Sequence, residues 1–456
     1  SATWVLGLEE HSREELIEII VELRRVNERL QAEIEQLKRR GGAAPFSKGK
    51  PKQDPKPPGR KPGQGYFRFR AAPECATASE PVAVPVTQTC CPDCGGQLDS
   101  AQHEIVSTTD IPAQPQPEVH RYAVEVRRCR RCGSKVRGQH PAIAGGQHGA
   151  TAHRIGARVK ALAHILHYVH GVPVRRIPAI IEDLTRVRLT QSAITQDAIK
   201  QSEGTMGARY EALRASVREQ AVVHTDDTGW RVAGQTAFLM AFVNASLSVY
   251  QVRPRHRNEE VRELVPADFG GVLVCDRGRS YDAVELEGVA QQKCLAHLIR
   301  NATTTAAEKT GRARHFGMQL ADTLRRALWL ATGRKETSPT EYWKQAARLD
   351  DELTVLLRDR TLRDADNQRL LNGAGAQHDR GRLLRFIGQN GVEPTNNRAE
   401  RDLRPAVIAR KVSHCSKNDR GARAFEAFTS VLQTIRKVNR SAPLLPALLN
   451  CSARPG

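Results

Sequence analysis

Between residues 41 and 65 the chain reads GGAAPFSKGKPKQDPKPPGRKPGQG, a run that no regular element can absorb. Proline lacks the amide hydrogen that helices and sheets need, glycine loses the most freedom on ordering, and few apolar side chains remain to pack. Such a segment divides the chain, so its 456 residues are read as several modules rather than one body. We take residues 41–74 as a linker. Its Lys48, Lys50, Lys52, Lys56, Arg60 and Lys61 form a cationic track suited to lying along phosphates.

The same bias runs through the whole chain, whose formal net charge is +20. That excess favours a polyanionic partner, most often nucleic acid. Aromatic residues are only 5%, which disfavours a surface that stacks single-stranded bases. No run of about 18 apolar residues is present, so no membrane span is expected. No secretory signal is expected either. Ten cysteines, several in C-x-x-C pairs, read as metal ligands in a reducing compartment rather than as a disulfide framework. The expected location is cytoplasmic, on the nucleoid.

Upstream of the linker, residues 8–40 carry a heptad pattern. Leu16, Leu23, Leu30 and Leu37 fall seven apart as d positions, with Arg13, Ile20, Asn27 and Ile34 at a. Leu at d, Ile at a and one polar Asn predict a parallel two-stranded coiled coil, hence a homodimer or higher oligomer. Downstream, residues 75–145 contain Cys91-Pro-Asp-Cys94-Gly and Cys129-Arg-Arg-Cys132-Gly. Four thiolates in two such turns can close a tetrahedral structural Zn²⁺ site. EIVSTTD and YAVEVRRC between them read as short strands.

Residues 150–220 read as a helical DNA-binding region. AHRIGARVKALAHILHYVHG, VPVRRIPAIIEDL and SAITQDAIKQSEG are three helices, the last with Ser192 as its expected N-cap. Helices joined by a short turn resemble a helix-turn-helix, with Arg175 and Arg176 as candidate DNA contacts. His153, His164, His167 and His170 are expected at the surface, facing phosphate, because no nearby carboxylate or cysteine completes a metal site.

From residue 221 strands take over. AVVHTDDTGW and GGVLVCDRG are apolar runs expected to end in acid, at Asp226 and Asp276. TAFLMAFVNAS and LSVYQVRPR are two further strands, NEEVRELV a helix, and QKCLAHLIRNATTTA another. The first part of this α/β core spans 221–301. A helical insertion, 302–390, follows, then the final helices at 391–440 and a C-terminal tail at 441–456. There Asn396 and Asn397 precede a helix bearing Glu400, Arg401 and Arg404, followed by Arg410 and Lys411, a basic set expected to face DNA. Three carboxylates on strand, strand and helix suit two hard divalent ions and phosphodiester chemistry. Asp226 and Asp227 are adjacent and must point to opposite sheet faces, so only one can be the main ligand.

HTDDTGW, CDRG, CLAH and EPTNNRAERDLRP, in this order, resemble the transposases of insertion sequence family sixty-six. The heptads, the PFSKGKPK linker and the paired knuckles are similar too, so the resemblance covers nearly the whole chain. It implies a multidomain α+β protein with a ribonuclease H-like catalytic domain carrying a helical insertion. It implies Asp226, Asp276 and Glu400 as acids holding Mg²⁺ or Mn²⁺, with Asp227 as the alternative first acid. It also places Cys294 and His297, a Cys-x-x-His signature, near the site. Family members often have Glu where this chain has Asp227, and Gly-Tyr where it has Arg277-Gly278. The implied activity is hydrolysis at transposon ends followed by strand transfer into double-stranded target DNA, with accessory proteins of the same element as further partners. A catalytically silent DNA-binding regulator and a metal-dependent nuclease are the alternative readings.

Overall fold

The structure is a computed structural model, and it describes residues 12, 17, 20–28, 30–31, 82–102, 117–143, 146–358, 361–413, 415–440 and 442–452. The chain divides into two compact units, Ser1–Ile111 and Pro112–Gly456. In the first unit residues 20–28 are helical, and Ile20, Val21, Leu23 and Leu30 are exposed. The rest of the heptad segment and the whole cationic linker, Lys48 to Lys61 included, lie outside the described residues, as does EIVSTTD. The first knuckle is a tight turn in which the Gly95 amide donates to Cys91 O at 2.8 Å and the Cys91 amide to Gly96 O at 2.9 Å. Gly95 has φ +73°, which a side chain would strain.

The second unit begins with a small antiparallel pair, β1 (Val126–Arg128) and β2 (Lys135–Arg137). Between them the second knuckle repeats the first: the Gly133 amide donates to Cys129 O at 2.9 Å, the Cys129 amide to Ser134 O at 2.8 Å, and Gly133 again has φ +73°.

Four helices follow: α1 (Ala157–Tyr168), α2 (Ile177–Thr185), α3 (Gln191–Ser202) and α4 (Thr205–Ser216). Thr190, rather than Ser192, is the N-cap of α3; its hydroxyl accepts from the Ala193 amide at 3.2 Å, while the Ser192 hydroxyl meets that of Thr190 at 3.0 Å. Two of the histidines are not surface groups. His164 is buried, its Nε2 2.9 Å from Asp197 Oδ2, and its ring lies 4.5 Å from that of Phe428. His167 Nδ1 meets Val172 O at 2.9 Å. The carboxylate that pairs with His164 comes from α3, a helix the segment's own sequence did not bring near it. His153 and His170 are exposed as expected.

The central sheet is built from β3 (Val222–Val232), β4 (Gln235–Val243), β5 (Ser248–Arg253), then, after the short α5 (Asn258–Arg262), β6 (Val272–Cys275) and β7 (Ala290–Lys293). Its order is β5-β4-β3-β6-β7. β3, β4 and β5 are antiparallel neighbours; β6 and β7 join parallel to β3. Alternation along β6 feeds two cores. Leu273 and Cys275 point to one face, with Phe242 of β4, and Val272 and Val274 to the other, with Leu320, Leu324 and Leu353. Leu239 to Phe242 of β4 are all buried, as expected of a strand covered on both sides.

The second face is covered by α6 (Leu295–Ala307), α7 (Gly311–Thr332), α8 (Pro339–Leu357), α9 (Ala365–Asp379) and the single turn α10 (Arg385–Gly388). The run QKCLAHLIRNATTTA is therefore split: Gln292 and Lys293 finish β7, Cys294 is the N-cap, and only then does the helix begin. α11 (Asn397–Ser413), α12 (Asp419–Val438) and α13 (Leu444–Ser452) follow and pack in the core shared with β4 and β5. The expected tail is thus partly a helix; Leu448 is buried, and Leu444, Leu445 and Leu449 pack against that core.

Both sheet edges are occupied. On β5 the amides of Ser248, Tyr250 and Val252 donate to Thr434 Oγ1, Ser430 Oγ and Glu426 Oε1 at 3.0, 2.9 and 2.6 Å. Four residues of helix rise about 6 Å and two of strand about 6.8 Å, so side chains spaced by four on α12 meet every second amide of β5. On β7 the Lys293 amide donates to Arg382 O at 2.8 Å, and the Gln292 side chain bonds Leu383 O and the Phe386 amide at 2.9 and 3.0 Å.

Candidate active site

β3 pairs with β6 at a constant offset of fifty residues, Val222 with Val272 through His224 with Val274. Carried two residues on, the same offset sets Asp226 level with Asp276. Asp276 follows the end of β6, as the sequence indicates. Asp226 does not end its strand: β3 stays paired to β4 as far as Val232 and so outruns β6. The first acid therefore lies on a continuous strand, at the place where its neighbour stops.

The two adjacent acids separate by face. Val222 packs in the core beneath the helical insertion and Val223 in the opposite one. Alternation then puts Asp226 on the insertion side and Asp227 on the other. Asp227 Oδ2 lies 3.1 Å from His256 Nδ1. Asp226 is held up at about 7; burial is the largest cause, and the negative charges of Asp227, Asp276 and Glu400 add to it against a backbone hydrogen bond from Asp227. Asp276 Oδ1 accepts the Gly278 amide at 2.8 Å, closing its own turn.

Glu400 is positioned by a buried network. Asn396 is fully buried; its side-chain amide donates to Thr225 O, its backbone amide to Cys294 Sγ at 3.2 Å, and its carbonyl accepts the Glu400 amide at 3.2 Å. The Leu295 amide, at the start of α6, donates to Pro394 O at 2.9 Å. His297 Nε2 lies 3.7 Å from Glu400 Oε1. Hydrogen bonding with Cys294 pushes the His297 imidazole up. Burial pushes the Cys294 thiol up, but its hydrogen bonds with His297 and Asn396 outweigh that and lower it. Cys294 thus holds the Glu400 segment to α6, and His297 faces the acid itself.

Sequence reasoning singled out Asn397, which is exposed; the buried neighbour Asn396 makes the contacts. An Asn one residue before a helix start, beside a Pro-Thr pair, was the available signal. Arg401, Arg404 and Lys411 are exposed on α11, and Arg175 and Arg176 are exposed ahead of α2. Arg410 is engaged within the protein, its guanidinium donating to Thr228 Oγ1 at 3.0 Å and to Gly229 O. It ties α11 to β3 rather than standing free for phosphate.

The donor set is hard oxygen, the chemistry that divalent ions of the magnesium type take. Among the described residues, no group of three or more His, Cys, Asp or Glu side chains is gathered so that it could hold a metal ion alone. Asp226, Asp276 and Glu400 are an open set rather than a cage.

The family model described as "Transposase IS66 family" matches residues 153–424. The chain belongs to this transposase family. A search of curated proteins returned no match. The matched span of the transposase runs from just before α1 into α12 and contains all three acids, the Cys-x-x-His pair and Asn396. No described helix is long and apolar enough to cross a membrane.

Proposed function

We propose that this transposase is of the DDE type, cutting a phosphodiester at each end of its insertion sequence and joining the freed 3′-hydroxyl to target DNA. The reading rests on one observation above all: the fifty-residue offset that brings Asp226 level with Asp276, with Glu400 tied to the same strand through Asn396. The three antiparallel strands followed by two parallel ones support a ribonuclease H-like core.

Asp226, Asp276 and Glu400 would hold Mg²⁺ or Mn²⁺. An open carboxylate set fits, because Mg²⁺ is usually held by one or two carboxylates together with substrate phosphates rather than by an all-protein cage. Bound there, the ions would activate the attacking hydroxyl and stabilise the leaving oxygen. The chain's own part is placement. Burial and mutual repulsion keep Asp226 poised to give up its proton when a cation arrives. The Thr225–Asn396–Cys294 contacts fix the helix that presents Glu400. Arg401, Arg404 and Lys411, exposed beyond Glu400 on the same helix, would take the DNA backbone. No nucleotide cofactor is needed, since transesterification conserves bond energy.

Each knuckle would contribute its own pair of thiols, Cys91 with Cys94 and Cys129 with Cys132, to structural Zn²⁺. Their matching turns support this, as do the thiols themselves: hydrogen bonding with Ser134, first of all, lowers Cys132 to about 7, and backbone hydrogen bonds at Asp93 and Cys94 lower Cys91. The zinc module and the helical region would bind terminal repeats, the linker would touch the DNA backbone, and the heptad helix would pair protomers so that two ends are held together.

The test is nicking and strand transfer on labelled element-end DNA with Mg²⁺ or Mn²⁺, comparing the parent with Asp276→Ala. Joined products from the parent, and DNA binding without either reaction from the variant, support the proposal. Cutting without joining identifies a nuclease. Binding without reaction, persisting when proteins of the same element are added, identifies a regulator.

A further inference from the structure

Beyond His224 and Val274 no backbone ladder links the strand of the first acid to the loop of the second. Side chains must set that spacing, and His256 stands between them. It belongs to neither segment, coming from the turn between β5 and α5. Its Nδ1 is 3.1 Å from Asp227 Oδ2, and its Nε2 is 3.1 Å from Ser280 Oγ, in the turn that follows Asp276. Phe238 of β4 packs edge-on against the ring at 5.3 Å, which fixes its plane. A second tie joins the His256 segment to the chain after Asp276: Asn258 Nδ2 donates to Glu285 Oε2 at 2.7 Å.

We infer that His256 is a positioning residue for the proposed chemistry, a brace that sets the separation of Asp226 and Asp276 by gripping their neighbours Asp227 and Ser280. The inference rests on the reading of those acids as metal-holding groups. It gives Asp227 a definite part: on the face away from Asp226 and engaged by the imidazole, it anchors the brace and leaves Asp226 as the first acid. Ser280 is 8% exposed, so it is built as an anchor rather than as an attacking group. Groups that orient metal-holding side chains commonly matter about ten- to a hundredfold in metal affinity or activity when removed.

The experiment measures Mn²⁺ binding to the full chain in complex with element-end DNA by isothermal titration calorimetry, with the DNA alone as blank, alongside the Mn²⁺ concentration that half-saturates cleavage of that DNA. His256→Ala is expected to weaken both by about tenfold or more, with the far-ultraviolet circular dichroism spectrum and DNA binding kept. His256→Asn, which keeps an amide near the Nδ1 position, is expected to recover part of the loss. Ser280→Ala, a smaller change, is expected to weaken binding in the same direction and to add little on top of His256→Ala, since both cut one linkage. Parent-like Mn²⁺ binding and half-saturation in His256→Ala and Ser280→Ala overturn the brace while leaving the acids in place. A parent that binds no Mn²⁺, or an Asp226→Ala variant that binds it as the parent does, overturns the acid assignment and the brace with it.

Discussion

Asn396 donates its side-chain amide to the carbonyl of Thr225 at 2.7 Å, one residue before Asp226. Through its backbone the same residue meets the Cys294 sulfur and receives the Glu400 amide. Three segments distant in sequence, β3, the start of α6 and the start of α11, therefore converge on one buried residue. This junction, more than any single acid, decides where Glu400 stands.

Removing the Asn396 amide leaves the Thr225 carbonyl buried without its donor, at a cost of about 1–3 kcal/mol. Asn396→Ala is expected to lower the urea midpoint accordingly, and to reduce DNA joining even at temperatures where the variant is fully folded. Asn397→Ala, at the exposed neighbour, is expected to leave the midpoint unchanged. A stable, fully active Asn396→Ala protein would remove the junction from the account of the site.

The raised carboxyl of Asp226 has a cost that pH should reveal. Folded, it keeps its proton up to about 7; unfolded, it releases it near the ordinary value of about 4. Between those values the folded state binds more protons, so this group's contribution falls as pH rises through the window and is lowest above it. In chelator, Asp226→Asn is expected to be more stable than the parent at pH 8 by on the order of 1–4 kcal/mol, with the gain gone by pH 4. Divalent ions should reverse the comparison, because they bind the ionised form. Thermal denaturation at several pH values, with and without Mn²⁺, measures this.

Asp197 shows the opposite sign. Burial pushes its carboxyl up, but hydrogen bonds and charge from His164 and Lys160 outweigh that and hold it well below the usual range. Its contribution is complete above about pH 4 and declines as pH falls further. Asp197→Asn is expected to cost about 1–3 kcal/mol at pH 7, and the difference from the parent should shrink in acid. Urea titrations at pH 7 and pH 3.5 test it; an equal penalty at both would show that the pairing is not ionic.

Ser430 accepts the Tyr250 amide at the sheet edge, and both groups are buried. Ser430→Ala should leave that amide without a partner and lower stability by about 1–3 kcal/mol. Exchange of the Tyr250 amide hydrogen should accelerate in the variant relative to Met240, which is inside the sheet. Unchanged exchange would mean that another acceptor takes the bond.

Much of the central sheet was legible in the sequence because its strands are unusually apolar. TAFLMAFV and GGVLVC declare strands covered on both faces, and an acid just past such a strand is conspicuous. Asp276 and Glu400 emerge where the residues placed them. Asp226 was expected at a strand end but lies in mid-strand, since strand length depends on the partner and β4 alone extends β3 to Val232. His164 was misplaced for a similar reason: a histidine on a helix carries no local mark of burial, and its carboxylate partner lies 33 residues away. Thr190 displaced Ser192 as the cap because two hydroxyls two residues apart fit the same pattern, and only backbone geometry selects between them. The brace at His256 has no motif at all, because its three members come from three segments.

The side chains of α12 along β5 and the 382–386 segment along β7 have a consequence for how copies of this protein meet. A sheet whose outer strands still offer free amides and carbonyls can recruit a strand from a neighbour, and a dimer then forms as one continuous sheet. Here both outer strands already have internal partners, on one side from Glu426, Ser430 and Thr434 and on the other from the return of the insertion. Joining two catalytic units by strand addition would first require dislodging a helix or the chain that leads to Glu400. Any assembly of copies would thereby be directed to helical and loop surfaces, and would leave the edge segment that leads to Glu400 undisturbed.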